Sequence, residues 1–142
     1  MTDAEAVVTG MMHRYCALFD AARFDEFAAQ FEHGQWHRAD PGAAATRRWI
    51  DEFVILHNGR PGTNHVTTNV IVEVDGAAAT ASSYVTVFQS LPDFPLQPIF
   101  AGRYRDRFEL VGDEWRWLRR QTIGDLYGDI SRHVRRAPEQ QP

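Results

Sequence analysis

A carboxylate, a guanidinium and a phenol fall on one face of a strand pair near the end of this chain, and their types and spacing could support chemistry. From Ile99 to Ile123 the sequence alternates large apolar with charged residues on both sides of Gly112-Asp113. That is the pattern of a long antiparallel hairpin with a two-residue loop. The loop sets Val111 opposite Glu114, and one face then carries Leu110 with Trp115, Phe108 with Trp117, Asp106 with Arg119 and Tyr104 with Gln121. The other face, with Glu109 opposite Arg116, Arg107 opposite Leu118 and Arg105 opposite Arg120, is wet. Charges on an otherwise aromatic wall are costly to bury without a partner or a role. Asp106 and Arg119 fit either a structural ion pair between strands or an acid beside a clamp for a substrate anion.

The second candidate is His65. Val74-Asp75-Gly76-Ala77 signals another tight hairpin, in which His65 faces Thr86, Thr67 faces Tyr84 and Asn69 faces Ser82. A histidine on a face with Thr67, Asn69 and Tyr84 can transfer protons near neutral pH, or can be a half-buried hydrogen-bonded side chain. The opposite face gathers Val66, Val70, Val72 and Val74 against Ala77, Ala79, Val85 and Val87. Helices that roof the polar-aromatic face cannot cover this one as well. An exposed apolar face of that size predicts a homodimer or a higher homo-oligomer.

Tyr15, Asp20 and Asp40 complete the set of candidate acids and bases. Tyr15 sits on an apolar helical stripe, Asp20 at a helix C-terminus where the macrodipole disfavours a carboxylate, and Asp40 in an Asp40-Pro41-Gly42 turn. Trp36, Phe88, Phe108, Trp115 and Trp117 read as packing residues, with one or two turned to a ligand space. His33 and His37 are four residues apart, but Gly34 takes them off a helix, so no metal site is predicted. Cys16 lies mid-helix without a neighbouring base. No phosphate-binding glycine loop, dinucleotide fingerprint or serine elbow is present. The chemistry that remains, proton movement beside a carbonyl or elimination of water, needs no cofactor.

The elements that must position these residues follow in order. Thr2 or Asp3 caps a first helix with Val7, Val8, Met11, Met12, Tyr15, Leu18 and Phe19 along one stripe, ending near Asp20-Ala21-Ala22. A short second helix presents Phe24, Phe27, Ala28 and Phe31, and Gly34 breaks it. Gln35 to Ala39 reads as a short strand, and a third helix capped by Thr46 carries Trp49, Ile50, Phe53, Val54 and His57. The two hairpins follow, joined by a link holding Pro92, Pro95 and Pro98, and a tail from Asp125 reads as irregular or as a short helix over the sheet. The predicted class is α+β: a cone-shaped, curled antiparallel sheet with three helices on its concave face, enclosing a cavity.

Arg14-Tyr15, the helix pair ending at Phe31, Asp40-Pro41-Gly42, His65 with Asn69, the run Gly102-Arg103-Tyr104-Arg105-Asp106 through Trp115-Arg116, and Gly128 to His133 together resemble the nuclear transport factor 2-like, or cystatin-like, superfold. Within it the match is to the SnoaL-like branch of polyketide cyclases, scytalone and bile-acid dehydratases, and ketosteroid isomerases. The resemblance covers nearly the whole chain. Resemblance to the dehydratases implies Tyr15, Asp20 and His65 as an acid–base set. Resemblance to the isomerases implies Tyr15 as oxyanion donor and Asp40 as base, with Tyr104 standing where they carry an acidic donor. The cyclases' acid–base aspartate corresponds most nearly to Asp106.

Composition bounds these readings. With 142 residues, 44% of them hydrophobic and 17 aromatic (4 Trp, 4 Tyr, 9 Phe), the chain is long enough for one domain with a real core. The expected layout of the 1–142 domain is a helical part over 1–62, a four-stranded meander over 63–123 and a tail over 124–142. A net charge of −4 argues against nucleic acid, although Arg132 to Arg136 makes the tail locally basic before a Pro/Gln end. No apolar run approaches the roughly 20 residues of a membrane span, no signal peptide is visible, and a single cysteine fits a cytoplasmic protein. The sequence thus points to a cofactor-independent lyase or isomerase acting on a small hydrophobic cyclic ligand, polyketide-like or steroid-like. In that reading His65 is the base, Tyr15 a donor to the substrate oxygen and Asp20 the orienter. Asn69, Tyr84, Tyr104, Arg119, Trp36, Phe88 and Trp117 are candidate substrate contacts. A non-catalytic binding or assembly module of the same fold is the alternative.

Overall fold

A computed structural model describes residues 1–135; position 136 of the basic tail and the Pro/Gln end lie outside the described residues. The element order is α1 (Asp3–Asp20), α2 (Phe24–Ala29), β1 (Gln35–Trp36), α3 (Ala43–Phe53), β2 (Thr63–Asp75), β3 (Ala78–Leu91), β4 (Phe94–Val111) and β5 (Glu114–Tyr127). One curled, unclosed sheet runs in the order β1-β5-β4-β3-β2, antiparallel except where β1 lies parallel to β5. The expected α+β class, with three helices packed on the sheet, is what the chain adopts.

The first helix forms where its cap and its apolar stripe dictate. Thr2 accepts the Glu5 amide while the Glu5 carboxylate accepts the Thr2 amide, a capping box that starts α1. Val8, Met12, Tyr15, Cys16, Leu18 and Phe19 are its buried stripe. The third helix starts earlier than the sequence suggests, at Ala43. Thr46 is not its cap; its hydroxyl donates back to the Gly42 carbonyl from inside the first turn. That helix stops at Phe53, so His57 lies beyond it. Gly34 lets β1 dock, because a Cβ there would strike the Trp117 carbonyl of β5.

Two bulges revise the expected faces. The first hairpin turns on Gly76-Ala77, one residue later than Asp75-Gly76, with Asp75 paired to Ala78 and Gly76 at φ 60°. Glycine at the first of two loop positions is the arrangement that matches strand twist. A bulge between Thr68 and Ile71 follows, with Asn69 held at φ 54°. The result pairs His65 with Val87, Thr67 with Val85, Thr68 with Tyr84 and Ile71 with Ser82. A one-residue slip moves side chains to the opposite face. Tyr84, Thr86 and Ser82 therefore point away from His65, while Val85 and Val87 share its face.

The apolar patch on which a homodimer was expected is consequently not exposed. Val85 and Val87 are 1% and 3% exposed, and Val70, Val72 and Val74 pack against the same core. The bulge at Asn69 switches the inward parity of β2 from His65 and Thr67 to Val70, Val72 and Val74, so these join the core while Val66 stays 40% exposed on the other face.

The second hairpin turns on Gly112-Asp113 as its sequence requires, with Leu110 opposite Trp115 and Phe108 opposite Trp117. A bulge at Leu118 then pairs Arg107 with Arg119, Asp106 with Arg120 and Tyr104 with Thr122. Asp106 thus faces Arg120, not Arg119. Pro95 and Pro98 lie inside β4 rather than in a link, where register irregularities between β3 and β4 accommodate residues lacking an amide hydrogen. After Tyr127 the chain neither wanders nor forms a helix: it turns over residues 131–133 and bridges Val134 to Val54.

Candidate active site

The last residue of α1 is the pivot. Asp20 stands at the carbonyl end of its helix, an unfavourable place for a carboxylate unless donors compensate. Three do so, all from the start of β2. Thr63 Oγ1 donates to Oδ1 at 2.8 Å, the His65 amide to Oδ2 at 2.7 Å, and His65 Nδ1 lies 2.6 Å from Oδ1. A carboxylate accepting from Nδ1–H fixes the imidazole tautomer and leaves Nε2 with its lone pair. The His65 and Asp20 side chains are only 9% and 17% exposed, so this contact is shielded from competing water.

Tyr15, one turn and a half before Asp20 on the same helix, borders the same cavity as His65. The space is about 360 Å³, within the range of small-molecule sites. Phe19, Trp36, Trp49, Val54, Val87, Phe100, Tyr104, Tyr127, Ile130 and His133 supply most of its wall. Trp36 Nε1 donates to Tyr15 Oη at 2.8 Å, and the Tyr104 ring packs edge-on against Tyr15 at 5.8 Å. With the Trp36 donor on its oxygen, the Tyr15 hydroxyl has its own proton to offer elsewhere. Burial raises the Tyr15 phenol above its ordinary pKa, with the Arg120 cation pulling the other way. Tyr104 is lifted well above the ordinary phenol value by the same loss of solvent. Both are neutral hydrogen-bonding phenols.

Asp106 and Arg120 lie beneath this wall. Arg120 Nε and Nη2 donate to the two Asp106 oxygens at 2.8 and 2.7 Å, and both side chains are 0% exposed. The guanidinium carbon sits 3.6 Å from the Tyr104 ring centroid, 4.2 Å from Tyr15 and 4.7 Å from Trp117. Burial lifts the Asp106 carboxyl above its usual range, partly offset by Arg120. Burial also opposes the Arg120 charge, but the Asp106 carboxylate outweighs it and holds the guanidinium cationic. Asp106 is therefore a buried structural partner and not part of the cavity lining.

The remaining candidates divide cleanly. Trp36 and Tyr104 line the cavity with His65 and Tyr15, and Asp20 holds His65 from behind. Asp40 is exposed in its turn and is not among the lining residues, so the Asp40-based isomerase arrangement is not assembled. Asn69 is exposed at the bulge, and Tyr84 is 53% exposed on the far side of the sheet with Phe88. Trp117 is core, 1% exposed against Phe31 and Phe108. Arg119 points outward and staples the edge strand, donating to the His37 carbonyl at 2.9 Å and the Arg120 carbonyl at 2.6 Å.

Sequence reasoning missed His37, Trp49, Phe100, Tyr127 and His133 as lining residues. In the sequence His37 stands out only for its spacing from His33; its ring packs edge-on against Trp49 at 5.0 Å and is driven by burial to a pKa of about 4. His133 had no local signal beyond the Gly128–His133 run, because its place depends on the tail crossing to Val54.

Comparison with known proteins adds the lineage. A SnoaL-like domain matches residues 1–121. Among solved structures the chain is similar to a putative scytalone dehydratase from Novosphingobium aromaticivorans, with TM-score 0.70, 24% identity and 91% of each chain covered. It is also similar to ActVI-ORFA from Streptomyces coelicolor, with TM-score 0.70, 18% identity, 88% of this chain and 97% of that one covered. A cystatin-like protein of unknown function from Nostoc punctiforme matches with TM-score 0.71 at 21% identity, over 88% of this chain and 94% of that one. At these identities the likeness is one of fold. No curated protein matches the chain.

Proposed function

The chain belongs to the SnoaL-like domain family, and we propose that its cavity is the active site of a cofactor-independent, dehydratase-like lyase for a hydrophobic cyclic small molecule. The observation that carries this reading is the Asp20–His65 contact at 2.6 Å opening onto a cavity that Tyr15 also borders. A ring ketone bearing a β-hydroxyl is the simplest substrate for such a set. His65 Nε2 takes the proton alpha to the carbonyl, and Asp20, holding Nδ1–H, stabilises the imidazolium that forms. The electron pair of the broken C–H bond becomes the new C=C bond as the C–O bond breaks. His65 Nε2 returns the proton to the leaving oxygen, which departs as water and leaves the imidazole neutral again. Tyr15 donates to the carbonyl oxygen, where negative charge develops, and the Trp36 donor keeps its hydroxyl aimed. The apolar walls suit a flat ring system and exclude bulk water.

The test is turnover of a panel of cyclic β-hydroxy ketones, followed by the absorbance of the conjugated product. His65→Ala should reduce turnover about 10²–10⁴-fold, the usual worth of a positioned acid–base group, with the fold retained. Tight ligand binding without turnover across the panel, unchanged by Asp20→Asn, would instead support a non-catalytic binding module.

A further inference from the structure

The turn after β5 brings a second imidazole to the cavity. Gly128 donates its amide to the Ile99 carbonyl at 2.8 Å, and the chain then crosses to the end of α3. The Ile55 amide donates to the His133 carbonyl at 2.8 Å, and the Arg135 amide to the Phe53 carbonyl at 2.7 Å. The neighbouring Arg132 carbonyl accepts from Gln89 Nε2 at 3.1 Å and lies 2.8 Å from His57 Nε2. His133 is therefore held by backbone on both sides, in a stretch beyond the residues that the family match covers.

Its ring completes a corner with two others. The His133 centroid is 6.1 Å from His65 and 6.0 Å from Phe19, and Phe19 stands 5.0 Å from His65. Nδ1 of His133 is closed off from solvent and has no partner, and the residue is part of the cavity lining. Burial drives this imidazole down to a pKa of about 3; the His65 and His57 charges push the same way and Asp20 opposes them. The two histidines are thus chemically distinct. One has a carboxylate behind it, ready to hold a positive charge, and the other has none.

We propose that His133 is a second ligand-contacting residue, whose uncharged imidazole donates Nε2–H to an oxygen of a hydroxylated ring compound seated between it and His65. The inference rests on the reading of His65 as the base of this cavity. An orphaned Nδ1 costs less as a bare acceptor than as a buried donor without a partner, which puts the proton on Nε2, where a ligand oxygen can take it. Hydrogen bonds of about 2.9 Å from each ring reach one oxygen atom across a centroid separation of 6.1 Å. A neutral donor so placed stabilises charge building on the departing oxygen without itself exchanging a proton, while His65 does the proton transfer.

The experiment is long-range ¹H–¹⁵N NMR of the histidine rings in the whole protein, free and titrated with 2-naphthol. The free protein should show His133 as the neutral Nε2–H tautomer from pH 5 to 8, and 2-naphthol should move the His65 and His133 signals together. His133→Phe, which keeps the ring packing but loses the donor, should weaken 2-naphthol roughly five- to tenfold. His133→Gln, which keeps a donor, should bind within about twofold of the unmodified chain. An imidazolium or an Nδ1–H tautomer at His133 would overturn the inference. So would a titration that moves His65 alone, or a His133→Phe variant of unchanged affinity, and either result leaves the His65 site standing. If neither histidine responds to 2-naphthol, the cavity reading fails and this inference goes with it.

Discussion

Replacing Asp106 with Asn tests whether the ion pair under the cavity is a structural strut. The side chains of Asp106 and Arg120 are 0% exposed and joined by two charge-assisted hydrogen bonds, at 2.8 and 2.7 Å. Asn preserves the shape and one acceptor, so packing is controlled while the compensating charge is lost. Breaking a buried pair from one side typically costs about 3–5 kcal/mol, because a desolvated charge is left behind. For a domain of this size that corresponds to roughly 10–15 °C in melting temperature. Thermal and urea unfolding at pH 7, at low and high salt, reads the effect, and high salt should not erase it, since the pair is shielded from counterions. The double variant Asp106→Leu with Arg120→Met should recover most of the loss, because an apolar pair of similar volume needs no charge compensation. A double-mutant cycle should couple Asp106 strongly to Arg120 and hardly at all to Arg119. A single variant melting within about 2 °C of the parent, or a cycle coupling Asp106 to Arg119, would refute the strut and the bulged register behind it.

Three further outcomes are expected. His133 and His37 have folded-state pKa values of about 3 and 4, below their unfolded value near 6.5, so the unfolded chain binds more protons. Their contribution is complete above pH 6.5 and is lost as pH falls toward those values. Each can add a slope of about 1.4 kcal/mol per pH unit. Urea midpoints between pH 7 and 4.5 should therefore decline, and less steeply in His133→Phe; a flat profile would contradict the half-buried neutral imidazoles. Tyr15→Phe removes the acceptor of Trp36 Nε1, and calorimetry should show a loss of about 1–3 kcal/mol, the cost of an orphaned buried donor. Gly34→Ala should detach β1 from β5, because the new Cβ meets the Trp117 carbonyl; loss of hydrogen-exchange protection at the His37 amide, which bonds the Arg120 carbonyl, would report it, and unchanged protection would refute the close approach.

Much of this molecule is local physics written along the chain. The Thr2–Glu5 capping box, the stripe from Val8 to Phe19 and the Gly112-Asp113 loop each rest on residues close in sequence, so the elements and their order could be read directly. Tyr15 and Asp20 share a helix five residues apart, and the segment that donates to Asp20 begins where β2 begins, so that part of the candidate site was legible too. Which strand face each residue takes was not. It depends on two single-residue bulges, at Asn69 and Leu118, whose only sequence trace is weak. Because strand side chains alternate with a period of two, each bulge exchanges inside for outside. Asp106 thereby gained Arg120 in place of Arg119, and Tyr84 and Asn69 left the cavity face. His133 reaches the cavity because the tail crosses to Val54, a contact between residues 80 apart. The sequence by itself determined the elements and which of them carry the candidate residues Tyr15, Asp20 and His65. The tertiary structure alone decided their partners, since register and long-range closure are set by the packing of the whole sheet against its helices.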